Sequence, residues 1–554
     1  MMTRVTAFFL ALLGAFPAAS PLWAQGRWHQ DQPRREITTP DLHVMGRVDA
    51  GKVYLSQRQA VEMALRNNLD INVERHRPLS AFWEIEARRG VYDPEFLFNF
   101  DWQRTTQPTA SLLAGGESVT DVDTRYEFGY RQDLSSGTHF EFEFNANRNS
   151  TTNSFADLVP AIATDLAATL RQNLLRGWGR IDADYDIEIS SNDLDISRHE
   201  FETRVADVVL AVQEGYWELQ FALEDIKVQE ESLELAQTTM DQNQARFEVG
   251  SAARVEVIEA EAEVAARREQ LIRSRFNYRL AQDQLIRLIT GLEDPRAFPG
   301  EIVPSQDIYQ PPPVASPFPQ LMEQARGNRP ELARAGLRIE NSRVLLERSR
   351  NRLKPQLDLL LSYQQFGLGG RRLIRDFSGG FINAPVIDIQ PGGAGDSLEQ
   401  LFGGDFYGYL VALDFRLPLG NKAARARNAQ AQIALDQEQL ARRSLLQEVA
   451  LEVRRALTEI EMNSAGVEAA QAAVRLSRER LDSQQARFDV GMATTRDMIE
   501  VQRDLTQAES VLIRNRVDLI QSSLRLQRAL GSTLSTQNIS LGQALEQNLR
   551  GPGR

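Results

Sequence analysis

Ala245-Arg246-Phe247-Glu248-Val249-Gly250 and Ala486-Arg487-Phe488-Asp489-Val490-Gly491 are one phrase written twice. The offset between them, 241 residues, also carries Ile258-Glu259 onto Ile499-Glu500 and Leu271-Ile272-Arg273 onto Leu512-Ile513-Arg514. Matches this dense at a single offset mark a duplicated unit. Ahead of the first phrase, from Ile187, apolar residues fall at Phe201, Val205, Val208, Val212, Tyr216, Leu219, Leu223, Ile226 and Leu233. Steps of three and four are the seam of a long coiled-coil-like helix. Gly250 breaks it, and Val255, Ile258, Ala262, Ala265, Ile272 and Phe276 continue the seam on a returning helix. The second copy runs from Ala424 to Leu530 and breaks at Gly491. Helices of ~60 and ~40 residues are ~90 and ~60 Å long. That reach suits a tube across a wide compartment better than a globular core. Alanines such as Ala265, Ala266, Ala469 and Ala470 permit close helix packing, and equally serve plain helix propensity.

The part of each half before its hairpin repeats too, at an offset of 261. Ala64, Asn67 and Pro94 fall on Ala325, Asn328 and Pro355, and Phe96, Phe98 and Phe100 on Leu357, Leu359 and Leu361. Each half therefore reads helix, strands, helical pair. The opening helix starts at Ser56, an N-cap with Gln59 placed for a capping box. The prolines between Asp294 and Pro319 form an extended connector. These signals divide the chain into a leader at 1–24, an extended segment at 25–54, a first repeat at 55–294, the connector at 295–319, a second repeat at 320–534 and a tail at 535–554. The first repeat holds strands within ~95–174 and a hairpin within ~185–290 turning at 246–252; the second holds strands within ~356–417 and a hairpin within ~424–531 turning at 487–493.

The strands alternate. Phe96, Phe98, Phe100 and Trp102 share one face, as do Tyr126, Phe128 and Tyr130, Phe140, Phe142 and Phe144, and Tyr407, Tyr409, Val411, Leu413 and Phe415. Polar or small residues take most of the places between. Period two with aromatics on one face means one dry side and one wet side. Alone, this fits a membrane barrel or an antiparallel sheet on a soluble core. Four strands, or six if the hairpin Tyr126 to Arg148 is counted, cannot close a barrel in one chain, so a barrel reading requires oligomerisation. Three copies then give 12 strands or 18. Because the hairpin turn Asp133 to Gly137 is short and the segments Thr105 to Asp123 and Asn149 to Thr164 are long, the long segments read as extracellular loops and the count as 18, the alternative being a hairpin folded over the extracellular mouth and a barrel of 12. The glycines at 392–404 also read as an extracellular loop.

The signal peptide and the long helices tip the reading toward a barrel. Arg4 followed by the apolar run Val5 to Phe16 and small residues at Ala18, Ala19, Ser20 and Ala24 is a secretory signal, with cleavage after Ser20 or Ala24. No later stretch approaches the ~20 apolar residues of a membrane helix. There is no cysteine, which excludes disulfides, thiol catalysis and lipidation at an N-terminal Cys. With Asp and Glu at 76 against Lys and Arg at 63, nucleic acid is not an expected partner. His29, His43, His76, His139 and His199 are dispersed, without metal-ligand spacing. We expect no cofactor, no metal and no catalysis.

Signal, duplicated halves, strand pairs between helices and the twinned Arg-Phe-x-Val-Gly turns together resemble the TolC family of outer-membrane efflux proteins. Leu55 to Asn68 resembles that family's opening helix, and Leu174-Leu175-Arg176-Gly177-Trp178-Gly179 its return from the barrel. The resemblance covers nearly all of the mature chain. It implies a mixed α and β fold: strands forming part of a trimeric outer-membrane barrel, and coiled-coil helices forming a periplasmic tunnel. It also implies a homotrimer in contact with outer-membrane lipid, a periplasmic adaptor and an inner-membrane transporter, serving efflux or type I secretion. By the same resemblance the turn residues Arg246, Phe247, Val249, Gly250, Arg487, Phe488, Val490 and Gly491 meet the adaptor. Asp497 and Glu500 line the tunnel constriction, with Glu256 and Glu259 at the matching places of the first hairpin and Glu256 linking neighbouring helices. Phe488 stands where the best-known members have a tyrosine, and Ala493 where they have an arginine, so the closing network must differ; Arg254 and Arg496 are candidates for it. The competing reading is a periplasmic coiled-coil scaffold or adaptor without a barrel.

Overall fold

The computed structural model describes residues 47–540 except 50, 111–115, 315, 377 and 379–383. The expected leader at 1–24, most of the segment at 25–54 and most of the tail at 535–554 lie outside the described residues.

Each half opens with a helical pair: α1 (Gln57–Asn67) and α2 (Leu69–Arg89) in the first, α5 (Phe318–Asn328) and α6 (Pro330–Asn351) in the second. Ser56 caps α1 through the expected capping box, in which the Ser56 N–H donates to Gln59 Oε1 at 2.9 Å. Pro94 and Pro355 then stand just before extended chain. The first half continues with β3 (Glu95–Pro108), β4 (Ser118–Leu134), β5 (Thr138–Thr151) and β6 (Leu158–Asn173), and the second with β8 (Gln356–Arg375), β9 (Val386–Gln390) and β10 (Tyr407–Arg416). All pair antiparallel in the order β10-β8-β6-β5-β4-β3, with β9 on the far end of β8. A small second sheet joins β1 (Arg47–Asp49), β2 (Lys52–Leu55) and β7 (Glu301–Pro304). The proline-rich connector, expected to be extended, opens on a 3₁₀ turn at Pro295–Ala297, gives β7 to that sheet and runs into α5 at Phe318.

Register carries the aromatic face across the whole main sheet. One row runs Phe98, Phe128, Phe144, Leu166, Gln365, Tyr407, and the next Phe96, Tyr130, Phe142, Ala168, Tyr363, Tyr409. The opposite face carries Asn99, Glu127, Asn145 and Asp165 in one row. The hairpin Tyr126 to Arg148 lies in the sheet as two full strands and does not fold over its end.

The expected loops need correction. Strand structure continues through Thr105 to Pro108 and Ser118 to Asp123, and again through Asn149 to Thr151 and Leu158 to Thr164. The reading stopped where aromatic alternation stopped. Thr and Val still favour extended chain there, and ladder bonding does not require a dry face. The segment 392–404 is likewise no open loop: it contains α7 (Ala394–Gly403), laid on β6 and β8. Gly367 and Gly369 make room for it, since a Cβ at either would collide with the α7 backbone near Ser397.

The long helices are α3 (Tyr185–Glu248) and α4 (Arg254–Ile289), then α8 (Lys422–Asp489) and α9 (Thr495–Ala529). Each hairpin packs its own two helices together, and α3 packs on α9, so the order across the bundle is α4, α3, α9, α8. The α3 seam is buried as expected from Phe201 to Leu219. The α4 seam is not: Val255, Ile258, Ile272 and Phe276 are exposed, and Val257, Ala260, Val264 and Leu271 are buried instead, with Tyr278 donating to the Ile302 carbonyl of β7. Both stripes recur at helical spacing, so periodicity could not tell which faces the partner. On the other flank, α8 exposes Ile433, Leu440, Leu451, Met462 and Leu476. No helix among the described residues is long and apolar enough to cross a membrane.

Candidate functional site: the paired hairpin tips

The two tips end in the same backbone device. In the first, Gly250 takes φ +79°, its N–H donates to the Phe247 carbonyl at 2.9 Å and the Ser251 N–H to the Arg246 carbonyl at 2.8 Å. In the second, Gly491 takes φ +76°, with Gly491 N–H on Phe488 at 3.0 Å and Met492 N–H on Arg487 at 2.8 Å. Both are Schellman caps, which close the last helical carbonyls through one residue in the left-handed region. The repeated phrase is therefore a stop signal, and glycine is its least strained occupant.

Equivalent residues then diverge. Arg246 reaches across, donating through Nη2 to the Phe488 carbonyl at 2.7 Å, with its guanidinium 4.1 Å from the Phe488 ring centroid. Phe488 is 1% exposed. Its counterpart Phe247 is exposed, as are Val249, Val490, Met492 and Arg487. Of the turn residues expected to meet an adaptor, Phe488 has its ring buried inside the protomer, under the Arg246 guanidinium. Arg246, read from the sequence only as a turn residue, is the clamp between the tips; Arg254 and Arg496 do not have that place. No spacing rule marks it, because Arg246 and Arg487 are the same letter in both copies.

The acids separate as well. Asp497 is the N3 residue of a capping box at the start of α9. Its carboxylate accepts the Thr494 N–H at 3.0 Å and the Thr494 hydroxyl at 2.8 Å. The backbone and side-chain hydrogen bonds from Thr494 hold its pKa below the usual carboxylate range. Glu500 lies three residues on, on the same helix face and exposed. Glu256 is half-buried and accepts from Thr495 Oγ1 at 3.3 Å, while Asn243 donates to the same hydroxyl at 2.9 Å. That junction ties the first hairpin to the second. Glu259 is exposed on α4 and does not enter it.

Further up, a ladder of side chains pins α3 to α9: Gln502 to Thr239 at 2.9 Å, Thr506 to Ser232 at 3.0 Å and Ser510 to Asp225 at 3.0 Å. Glu263 on α4, 4% exposed, accepts from Arg267 Nε at 2.6 Å and Arg503 Nε at 3.2 Å. Burial works to raise its pKa, and the two guanidiniums outweigh burial and hold it below the ordinary value. The sequence reading missed this ladder. Short polar residues at core positions of a coiled coil were the available signal.

With that geometry in view, comparison with known proteins decides the family. The family model described as "Outer membrane efflux protein" matches residues 139–291 and 321–532, one segment in each half. The chain belongs to the outer membrane efflux protein family. It is accordingly a TolC-like efflux channel protein of the outer membrane, with its helical part in the periplasm. No curated protein matches the chain by sequence. Among solved structures, the CmeC outer membrane channel of Campylobacter jejuni aligns with TM-score 0.60 at 14% identity, over 92% of this chain and 94% of CmeC. VceC of Vibrio cholerae aligns with TM-score 0.58 at 13% identity, over 86% and 96% of the two chains. The open state of the Neisseria gonorrhoeae channel MtrE aligns with TM-score 0.57 at 15% identity, over 88% and 94%. At these identities the likeness is one of fold.

Proposed function

We propose that three copies of this chain form one barrel and one tunnel, through which substrates handed over by an inner-membrane transporter leave the cell. The open sheet carries this reading. Among the described residues its edge strands β3 and β10 are unpaired on their outer sides, and both present large apolar residues to the surroundings: Phe96, Phe98, Phe100 and Trp102 on one, Tyr409, Val411, Leu413 and Phe415 on the other. Unpaired edges cannot face lipid, where each unsatisfied backbone group costs several kcal/mol. Six full strands per chain make 18 in a trimer. The exposed apolar stripes of α4 and α8 flank the helical layer as β3 and β10 flank the sheet, so one rotation buries both pairs. The exposed tip residues Phe247, Val249, Val490 and Met492 are the surface offered to a periplasmic adaptor, and Asp497 and Glu500 supply acidic rings to the tunnel end.

Purified in detergent, the protein should have three times the mature chain mass after correction for bound detergent, and should conduct ions in planar bilayers. A stable, folded, non-conducting monomer would overturn the reading, since its sheet edges would stay open.

A further inference from the structure

The two sheet edges are unequal. β3 has 14 residues and β10 has 10. If they pair between copies, as the proposed barrel requires, four residues of β3 find no strand. The faces fix the parity of that pairing, because aromatic side must meet aromatic side. With the helix-proximal ends level, Glu95 lies beside Arg416, Phe100 beside Val411 and Arg104 beside Tyr407. The overhang is Thr105 to Pro108, at the end of the sheet far from the helices.

Beyond Tyr407 the edge of β8 is finished by other means. The Phe366 N–H donates to the Phe406 carbonyl at 2.9 Å, and the Leu368 N–H donates to Gln400 Oε1 of α7 at 3.1 Å. Then β9 pairs with Arg372 to Arg375. Where β10 would continue, α7 stands. It is anchored by the Ser397 hydroxyl, 2.7 Å from Thr164 Oγ1, and by Leu401, fully buried. Yet Phe402, at the end of α7 that reaches the edge, and Phe406, just past that end, are 71% and 55% exposed. Gly367 is 11 residues beyond Gln356 on β8, about 36 Å along the strand at ~3.3 Å per residue. Tilted by ~40°, that is a rise near the ~25 Å height of an apolar barrel band. α7 therefore lies at the outer rim, where a seam opening to water would otherwise form.

We propose that α7 is a seam clasp: its Phe402, with Phe406 just past its end, covers the Thr105 to Pro108 overhang of the neighbouring copy, and joins subunits where strand pairing has run out. The occupant is a second copy of this chain, because the unmatched length lies on this chain's own β3 and the exposed rings lie beside the edge it must meet. The inference rests on the trimeric barrel reading.

Disulfide trapping separates the two, the chain having no cysteine of its own. Phe100→Cys combined in turn with Tyr409→Cys, Val411→Cys and Leu413→Cys reads the strand register in oxidised outer membranes. Phe402→Cys with Thr106→Cys reads the clasp. We expect cross-linked trimers with Val411→Cys and with the clasp pair. Cross-linking at the strand pair without the clasp pair overturns the clasp and leaves the barrel. Failure of every pair overturns both. Cross-linking of the clasp pair with a shifted strand register supports the clasp.

Discussion

Arg246 and Phe488 are held twice over, by a hydrogen bond of 2.7 Å to the Phe488 carbonyl and by the guanidinium lying 4.1 Å from the ring centre. The Phe488 carbonyl near the end of α8 accepts this bond beside that from the Gly491 N–H, and the cation faces the ring's negative side. Together the contacts are worth about 1–3 kcal/mol. Arg246→Ala should loosen one tip from the other and raise single-channel conductance in planar bilayers. Arg487→Ala removes the matching letter of the second repeat, which is exposed, and should leave conductance unchanged. Equal behaviour of the two variants would remove the clamp.

Gly250 and Gly491 have positive φ but nothing within 4 Å of a built Cβ. Gly→Ala there meets conformational strain alone, about 1–2 kcal/mol per site. The trimer should survive it and export should fall slightly. Gly→Asp adds a charge between exposed Val249 and Ser251, or between Val490 and Met492, and should abolish export with trimer and membrane insertion intact. Susceptibility of cells to exported compounds, with heat-resistant trimer on gels as control, measures both. Normal export by both Asp variants would move the adaptor site elsewhere.

The fold was legible where one physical demand repeats. Seams of three and four gave the long helices, period two gave the strands, and Gly250 and Gly491 gave the turns. Legibility failed where one pattern serves two partners. Val255, Ile258, Ile272 and Phe276 repeat as regularly as the buried stripe, and only the assembled bundle shows which is inside. It failed also where a strand loses its dry face, as at Thr105 to Pro108, and at α7, whose glycine-rich surroundings mask a helix. In the site, Asp497 and Glu500 were singled out through the family resemblance and not by any pattern of their own. The Asp497 capping bond could have been read from the sequence, since Thr494-x-x-Asp497 is a capping-box spacing. The Arg246 clamp could not, because duplicated letters hide divergent roles.

Asp497 and Glu500 test the acidic-ring reading, with the capping role held apart. Asp497→Asn keeps a side-chain oxygen for the Thr494 donors and removes the charge, whereas Asp497→Ala also removes the cap at about 1 kcal/mol. Asp497→Asn with Glu500→Gln should lower cation selectivity and weaken block by multivalent cations, without lowering the heat stability of the trimer. Unchanged selectivity in the double variant would leave Asp497 as a cap and nothing more.

Glu331 gives the fold a defined acid limit. Arg329, at the N-cap of α6, donates to it through Nε at 3.2 Å, and Arg528, at the end of α9, through Nη2 at 2.8 Å. Arg528 also donates to Asp207 of α3 at 2.6 Å, and Arg329 to Glu452 of α8, so one cluster joins four helices. Burial pushes the Glu331 carboxyl up, but the Arg329 and Arg528 guanidiniums bring it down to about 2 from the ordinary 4.5. A carboxylate depressed on folding stabilises above its unfolded pKa and loses that contribution as pH falls through the folded one. The window is therefore pH 4.5 down to about 2, and the contribution at stake is about 3 kcal/mol per chain. Protonation, or Glu331→Gln, leaves two buried guanidiniums short of an anion. The heat-dissociation midpoint of the parent should fall steeply across that window. Glu331→Gln should start lower at pH 7 and show a shallower slope below 4.5. Parallel curves for parent and variant would place the acid-sensitive group elsewhere.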